Sequence, residues 1–361
     1  MPGWAVALSG FLIGCAAGFA VHRGRLCSFA AIEDGLMGRD WRGLKTFALA
    51  LAIAIIGMQL LIIFGLFDSG RTTYVPAHVP WLSAAIGSVL FGLGMAFVGT
   101  CAFGSLVRLG SGDLRSLISM LVFGTVAYAT LRGMLSSLRI DVLERVSLPM
   151  PGAVASEWPG ILNHLTAQDV RLPVALIAAI ALGGWALRDA RLRQTRRLLT
   201  AGLVLGMAII AGWCVTGILA DDFSNNVRVQ SLTFVAPVAR ALFAVAGSHA
   251  EWLDFGVMTV PGVVLGAFIH AKSKTQFRWE AYDDHHEMRR HLTGAVLMGF
   301  GGVLAGGCTI GQGLTAGSLM AVTWPVTVAG MILGARLGIA ILMEGSLREL
   351  LRSHFSSHGA K

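Results

Sequence analysis

The sequence predicts an all-α polytopic membrane protein of about nine transmembrane helices plus short re-entrant helices, in two inverted, pseudo-symmetric halves. Three observations point there. Of the 361 residues, 55% are hydrophobic and only 13% charged, whereas soluble domains carry roughly a quarter charged residues. Between His291 and Arg336 there is no Asp, Glu, Lys or Arg. That run is too long for one helix across a ~30 Å hydrocarbon core, so the chain turns within it, at Gly306-Gly307-Cys308-Thr309-Ile310-Gly311-Gln312-Gly313. Finally, Gly87, Val89, Leu90, Gly92, Gly94, Gly99, Cys101 and Gly104 recur as Gly294, Val296, Leu297, Gly299, Gly301, Gly306, Cys308 and Gly311, always at an offset of 207. Glycine-interrupted apolar segments at matching places in two halves are a sequence pointer to a transporter's binding site.

The elements follow in order. Span 1 covers about 3–21, with Gly10, Gly14 and Gly18 forming a small-residue packing face. His22-Arg23-Gly24-Arg25-Leu26-Cys27 leads into a short helix dipping into the protein, and Arg39, Arg42 and Lys45 make the next loop basic. Span 2 is about 44–67 and span 3 about 81–99. In span 3, Gly87/Gly94 and Gly92/Gly99 form rows on different faces, as expected of a helix wedged between two neighbours. Span 4 is about 116–131, and residues 132–171 form the longest polar connection. Span 5 is about 172–187, followed by five arginines within 188–197. Span 6 is about 198–220. Residues 231–247 are apolar but hold Pro237 and Arg240. A central arginine costs roughly 2.5–3.5 kcal/mol on insertion scales, so this stretch reads as re-entrant, with Arg240 facing water or a cavity. Spans 7, 8 and 9 are about 255–271, 292–306 and 323–343, and the tail carries Arg348, Arg352 and Lys361.

The whole chain, 1–361, reads as one membrane transport domain, with halves of about 1–134 and 172–343 joined by the polar connection 135–171. Basic loops mark the cytoplasmic side, which puts the N-terminus outside and the C-terminus in the cytoplasm. The net charge of +8 lies in short loops between spans, so it reports orientation and not a nucleic-acid partner. The lipid bilayer is the expected surrounding.

Of the five cysteines, Cys101 and Cys308 follow glycine-rich spans, each just before a helix start. A helix N-terminus offers unpaired N–H groups and a partial positive charge, an anion site without a buried cation. Their identical placement in a repeat argues against simple apolar fillers. Gly99, Thr100 and Gly104 belong with Cys101 as substrate-path candidates; Gly306, Gly307, Thr309, Gly311 and Gln312 belong with Cys308. Gln312 either offers polar atoms beside the thiol or caps the turn. Arg23, Arg25, Arg108 and Arg240 are candidates for attracting an anion, or ordinary topology and surface arginines. Cys15 and Cys214 sit within continuous apolar helices and read as core. There is no CxxC pair, and His22, His78 and His270 are scattered, so no metal is suggested; no cofactor is implied, and no GxxxxGK[ST] loop suggests ATP-driven pumping.

The stretches 18–27 (GFAVHRGRLC), 99–104 (GTCAFG) and 306–313 (GGCTIGQG) resemble those of the YeeE/YedE family of sulfur-compound transporters, and the similarity runs over nearly the whole length. The resemblance implies uptake of thiosulfate, or a related sulfur or selenium species, across a bacterial inner membrane. It implies an hourglass of pseudo-symmetric halves and a path marked by Cys27, Cys101 and Cys308. It also implies work beside a small cytoplasmic sulfur-carrier protein, and no catalytic residue. A membrane thiol oxidoreductase and a channel for another anion are the competing readings. The first normally wants a close cysteine pair, which the sequence does not display.

Overall fold

The structure, a computed structural model, describes residues 2–76, 78–145, 147–149, 156–166, 168, 170–219, 228–246 and 254–344. The tail arginines and lysine and part of the 132–171 connection lie outside the described residues. The first half comprises α1 (Gly3–Gly24), α2 (Ser28–Met37), α3 (Arg42–Ile63), α4 (Trp81–Val98), α5 (Ala102–Gly110) and α6 (Leu114–Arg132). The short α7 (Leu135–Leu138) and α8 (Trp158–Thr166) fall within the connection, which is followed by α9 (Arg171–Leu187) and α10 (Ala190–Gln194). The second half comprises α11 (Arg196–Cys214), α12 (Val235–Ala246), α13 (Phe255–Ser273), α14 (His285–Leu304) and α15 (Trp324–Glu344). A wide π-type turn spans Gly311–Ala316. The only sheet among the described residues pairs His78–Val79 with Leu148–Pro149, antiparallel.

Seven described stretches are long and apolar enough to cross a membrane: 3–37, 42–63, 81–110, 114–132, 196–219, 255–273 and 324–344. Expected spans 5 and 8 correspond to α9, which is shorter, and α14, whose first turns carry His285, His286, Glu287, Arg289 and Arg290. Span 8 thus starts seven residues earlier than hydropathy suggests. Its charges sit in the first two turns, where they stay at one face.

Glycine sets the packing, because helices in lipid associate by close backbone approach and not by hydrophobic exclusion. On α1 the stripe Gly10, Gly14, Gly18 meets Phe255, Thr259 and Val263 of α13; a methyl at Gly14 would lie 2.5 Å from the Thr259 carbonyl oxygen. Both series ascend, so the two helices run parallel. At the centre, α4 and α14 cross antiparallel. A methyl at Gly94 would lie 2.6 Å from the Gly294 carbonyl oxygen, and one at Gly301 2.6 Å from that of Gly87. These contacts are reciprocal: each repeat-related glycine touches the partner of the other. Gly92 packs on Met331 of α15, as a wedged helix requires. Gly99 does not extend that row. It lies past the end of α4 with φ of 73° and nothing near it, so it stops the helix instead of packing it.

Helix directions place the basic segments together. Gly24 of α1 meets Ala201 of α11, whereas Gly202 and Gly206 of α11 meet Thr46 and Ala50 of α3. The C-terminal ends of α1 and α13 and the N-terminal ends of α3 and α11 therefore share one face. Lys45 bonds to Asp189 there at 2.7 Å. Arg115, at the start of α6, pairs with Asp113, Glu280 and Glu287.

Candidate functional site

Two matched turns form the centre. Gly99 (φ 73°) and Gly306 (φ 74°) end or follow α4 and α14 in the left-handed region, which suits glycine. Each turn leads two residues on to a cysteine whose thiol takes a backbone N–H three residues ahead. Cys101 Sγ accepts from Gly104 N–H at 3.3 Å, and Cys308 Sγ from Gly311 N–H at 3.4 Å. The first amides of a helix have no intrahelical partner, and here sulfur supplies one in both halves. Both cysteines are buried, at 1% and 0% exposure.

Cys27 closes on the first turn. It precedes α2 in an extended conformation, just after Arg25 in a left-handed one. Its Sγ lies 3.4 Å from Thr100 Oγ1. A methyl at Gly104 would fall 3.3 Å from the Cys27 sulfur and 3.5 Å from that of Cys101. Gly104 thus borders both sulfurs, and its missing side chain leaves room for the Thr100 hydroxyl, whose oxygen lies 2.3 Å from where a methyl would sit. Cys27 and Cys101 make the close cysteine pair that linear spacing concealed, because 74 residues separate its members (101 − 27). Next to Cys27, Ser28 Oγ lies 2.9 Å from Thr309 Oγ1. The start of α2 therefore bridges the two turns, one residue to each. Ser28 was not among the expected site residues; only its place beside Cys27 hinted at it. The same two hydroxyls edge an otherwise apolar cavity of about 170 Å³ beside Leu51, Leu314 and Trp324.

Around Cys308 the neighbours differ. Phe234 occupies the place that corresponds to Cys27 at the 207-residue offset, and its ring stacks on Phe103 at 4.7 Å. Thr233 and Tyr74 lie over Gly311. Gln312 is buried; its side chain lies against Gly306 and Gly307, and its Oε1 accepts from Thr327 Oγ1 at 3.4 Å. It braces the turn. Cys15 lies on the α13-facing surface of α1, and Cys214 ends α11.

The arginines separate into two kinds. Arg23 and Arg25 line a cavity of about 710 Å³ that reaches Cys27, together with Arg42, Arg196 and Arg197, and with Asp34 and Asp40 as its acids. The Arg42 guanidinium beside Asp40 holds that carboxyl below its usual range. Arg196 and Arg197 read in the sequence only as topology marks; folding α11 against α1 makes them part of the antechamber. Arg108 is exposed and donates to the Gly99 carbonyl at 3.1 Å, tying down the end of α4. Arg240 is the correction. It does not face water or a cavity: it is 6% exposed and donates to Asp254 at 2.5 Å and to Gln230 at 3.4 Å. A buried guanidinium is tolerated when paired and hydrogen-bonded, and Asp254, which also caps α13, supplies the charge. Among the described residues, the one group whose ligand atoms converge enough for a metal is Asp284, His285 and His286, exposed at the start of α14.

Comparison with known proteins fits this arrangement. The family model described as sulphur transport matches residues 23–337. The thiosulfate transporter TsuA of Escherichia coli (strain K12) is 28% identical over 339 residues, covering 91% of this chain and 92% of that protein. The thiosulfate transporter TsuA of Spirochaeta thermophila is 24% identical over 311 residues, covering 85% and 90%. With the matched region holding both cysteine turns, Cys27 and most of the membrane-spanning helices, the chain belongs to the sulphur transport family, the YeeE/YedE transporters its motifs resemble.

Proposed function

We propose that this protein carries thiosulfate, or a closely related sulfur-containing anion, inward across the bacterial inner membrane along a path of neutral thiols: Cys27, Cys101 and Cys308. The observation that carries the reading is the pair of thiol-capped turns, 101–104 and 308–311, bridged by Cys27 to Thr100 and by Ser28 to Thr309. The names of the two relatives supply the substrate class.

The chemistry suits that substrate. Thiosulfate is a dianion with a soft terminal sulfur, and a neutral S–H donates to it. A thiolate would repel it: at ~4 Å and an effective dielectric of ~20, each pair of unit charges costs about 4 kcal/mol. The arginine-rich cavity raises local anion concentration at one mouth, and the buried turns offer amides and thiols without a fixed cation. Gly99, Thr100, Gly104, Gly306, Gly307, Thr309, Gly311 and Gln312 shape or brace the path. Arg23 and Arg25 attract the anion.

The chain acts as one transport domain with inverted halves of about 1–134 and 172–343. That reading is supported by the 207-residue repeat, the reciprocal glycines of α4 and α14, and the identical caps. α9 and α14 complete nine crossings; the N-terminus is outside, the C-terminus cytoplasmic, and a small cytoplasmic sulfur-carrier protein receives the product at the arginine-rich mouth. The test is uptake of isotopically labelled thiosulfate into proteoliposomes, with sulfate as control. Saturable thiosulfate uptake not matched by sulfate is expected; uptake no faster than in protein-free vesicles would overturn the proposal. The closeness of Cys27 and Cys101 supports a second reading, thiol redox chemistry, whose mark is a Cys27–Cys101 disulfide that accumulates during turnover.

A further inference from the structure

We infer that the half of the path opposite the arginine cavity holds an oxyanion subsite built by the hydroxyls of Tyr74 and Thr233. They take the oxygen end of the sulfur anion while its sulfur end meets Cys308. The inference rests on the transport reading above and adds two residues to it.

The argument begins with an asymmetry. α2 starts directly after Cys27 and α12 directly after Phe234, in the same register of the repeat. The second half therefore lacks a third thiol, and its aromatic ring is committed to a stack on Phe103. Polar groups still converge on Cys308. A methyl at Gly311 would lie 2.5 Å from Thr233 Oγ1 and 3.2 Å from the Tyr74 hydroxyl oxygen. Gly311 is the residue whose N–H caps the Cys308 sulfur, so both hydroxyls pack on the turn that holds the thiol. Each of the two hydroxyl-bearing residues is only 7% exposed.

The support is rigid. The Tyr74 ring meets Trp213 edge-on at 6.3 Å; Trp213 meets Phe67 at 5.3 Å and donates to Ser318 Oγ at 3.1 Å. Preorganised donors in a site of low dielectric are worth more than the same donors in water. Burial pushes the Tyr74 phenol above its ordinary range, so it stays a donor. Hydroxyls are hard donors and suit sulfonate-type oxygens, whereas the thiol suits the terminal sulfur. Together they read both ends of an asymmetric anion. Tyr74 lies between α3 and α4, at the end of the molecule opposite Arg23 and Arg25.

The experiment measures thiosulfate binding to the purified full chain by calorimetry, and protection of Cys308 from alkylation, in Tyr74→Phe, Thr233→Val and Thr233→Ser. Tyr74→Phe and Thr233→Val should each weaken binding roughly tenfold to a hundredfold and raise by the same factor the thiosulfate needed to protect Cys308. Thr233→Ser should behave as wild type. The thermal midpoint of Thr233→Val should stay within a few degrees of wild type, which separates a donor role from a structural one. Wild-type binding that is unchanged in both Tyr74→Phe and Thr233→Val overturns this subsite alone. If Tyr74→Phe does not fold, Thr233→Val decides. A wild-type protein that binds no thiosulfate overturns both the subsite and the transport reading.

Discussion

Replacing Cys101 separates the two tasks its thiol performs. The sulfur caps α5 by accepting the Gly104 N–H at 3.3 Å, and it faces Cys27 across Gly104. Alanine removes both functions; serine restores an acceptor at the cap but not the soft S–H donor. Loss of an N-cap typically costs about 0.5–2 kcal/mol. Loss of one hydrogen bond to a charged group costs ~1.5–3 kcal/mol, roughly ten- to a hundredfold in rate if it falls on the barrier. Cys101→Ala should therefore lower the thermal midpoint in detergent by a few degrees and reduce thiosulfate uptake ten- to a hundredfold. Cys101→Ser should recover most of the midpoint and little of the uptake. Cys15→Ala and Cys214→Ala should leave uptake nearly unchanged. Full uptake by a Cys27→Ala, Cys101→Ala, Cys308→Ala triple variant would refute the role of the thiols. Mass spectrometry showing a turnover-competent persulfide on one of them would replace the relay of neutral donors with covalent transfer.

Further outcomes follow from particular contacts. Gly94→Leu or Gly301→Leu should impair assembly, because overpacking typically costs about 1–3 kcal/mol and the obstacle is backbone of the crossing helix; normal yield and transport from both variants would contradict the crossing. Gly104→Ala should cut uptake, since its methyl would displace the Thr100 hydroxyl, 2.3 Å away, and press on the Cys27 and Cys101 sulfurs; unchanged uptake would place the anion elsewhere. Arg240→Met should act on stability and not on the Michaelis constant: removing one partner of a buried pair costs roughly 3–5 kcal/mol, read as a lowered thermal midpoint. In a cysteine-accessibility scan, residues 188–197 and 272–290 should label from the cytoplasmic side only, and labelling from opposite faces would break the proposed topology.

How much of this was legible from the sequence depends on the range of the interaction. The membrane class, most of the spans and the Gly10/Gly14/Gly18 face could be read directly, because apolar runs and small-residue spacing report on a helix in lipid whatever its neighbours. The repeat was legible as well, and it marked Cys101 and Cys308 before any geometry was known. Their caps to Gly104 and Gly311 are local, spanning three residues, and the glycines that permit them stand in the sequence. The start of α14 was misread because its early turns are charged, and hydropathy cannot tell a helix from the membrane depth at which it begins.

Tertiary structure alone decided which residues meet. The sequence reads Arg240 as facing water or a cavity and Arg196 as a mark of topology. Folding buried the first against Asp254 and opened the second onto the cavity before Cys27. Nothing local announces that Cys27 faces Cys101, that Ser28 reaches Thr309 across 281 residues, or that Tyr74 and Thr233 lie over one glycine. Those meetings are set by how glycine-lined helices approach backbone to backbone, a property of pairs of helices and not of either chain segment. Apolar runs and glycine spacing are enough to read the kind of molecule and its two cysteine turns; packing sets which side chains lie between them.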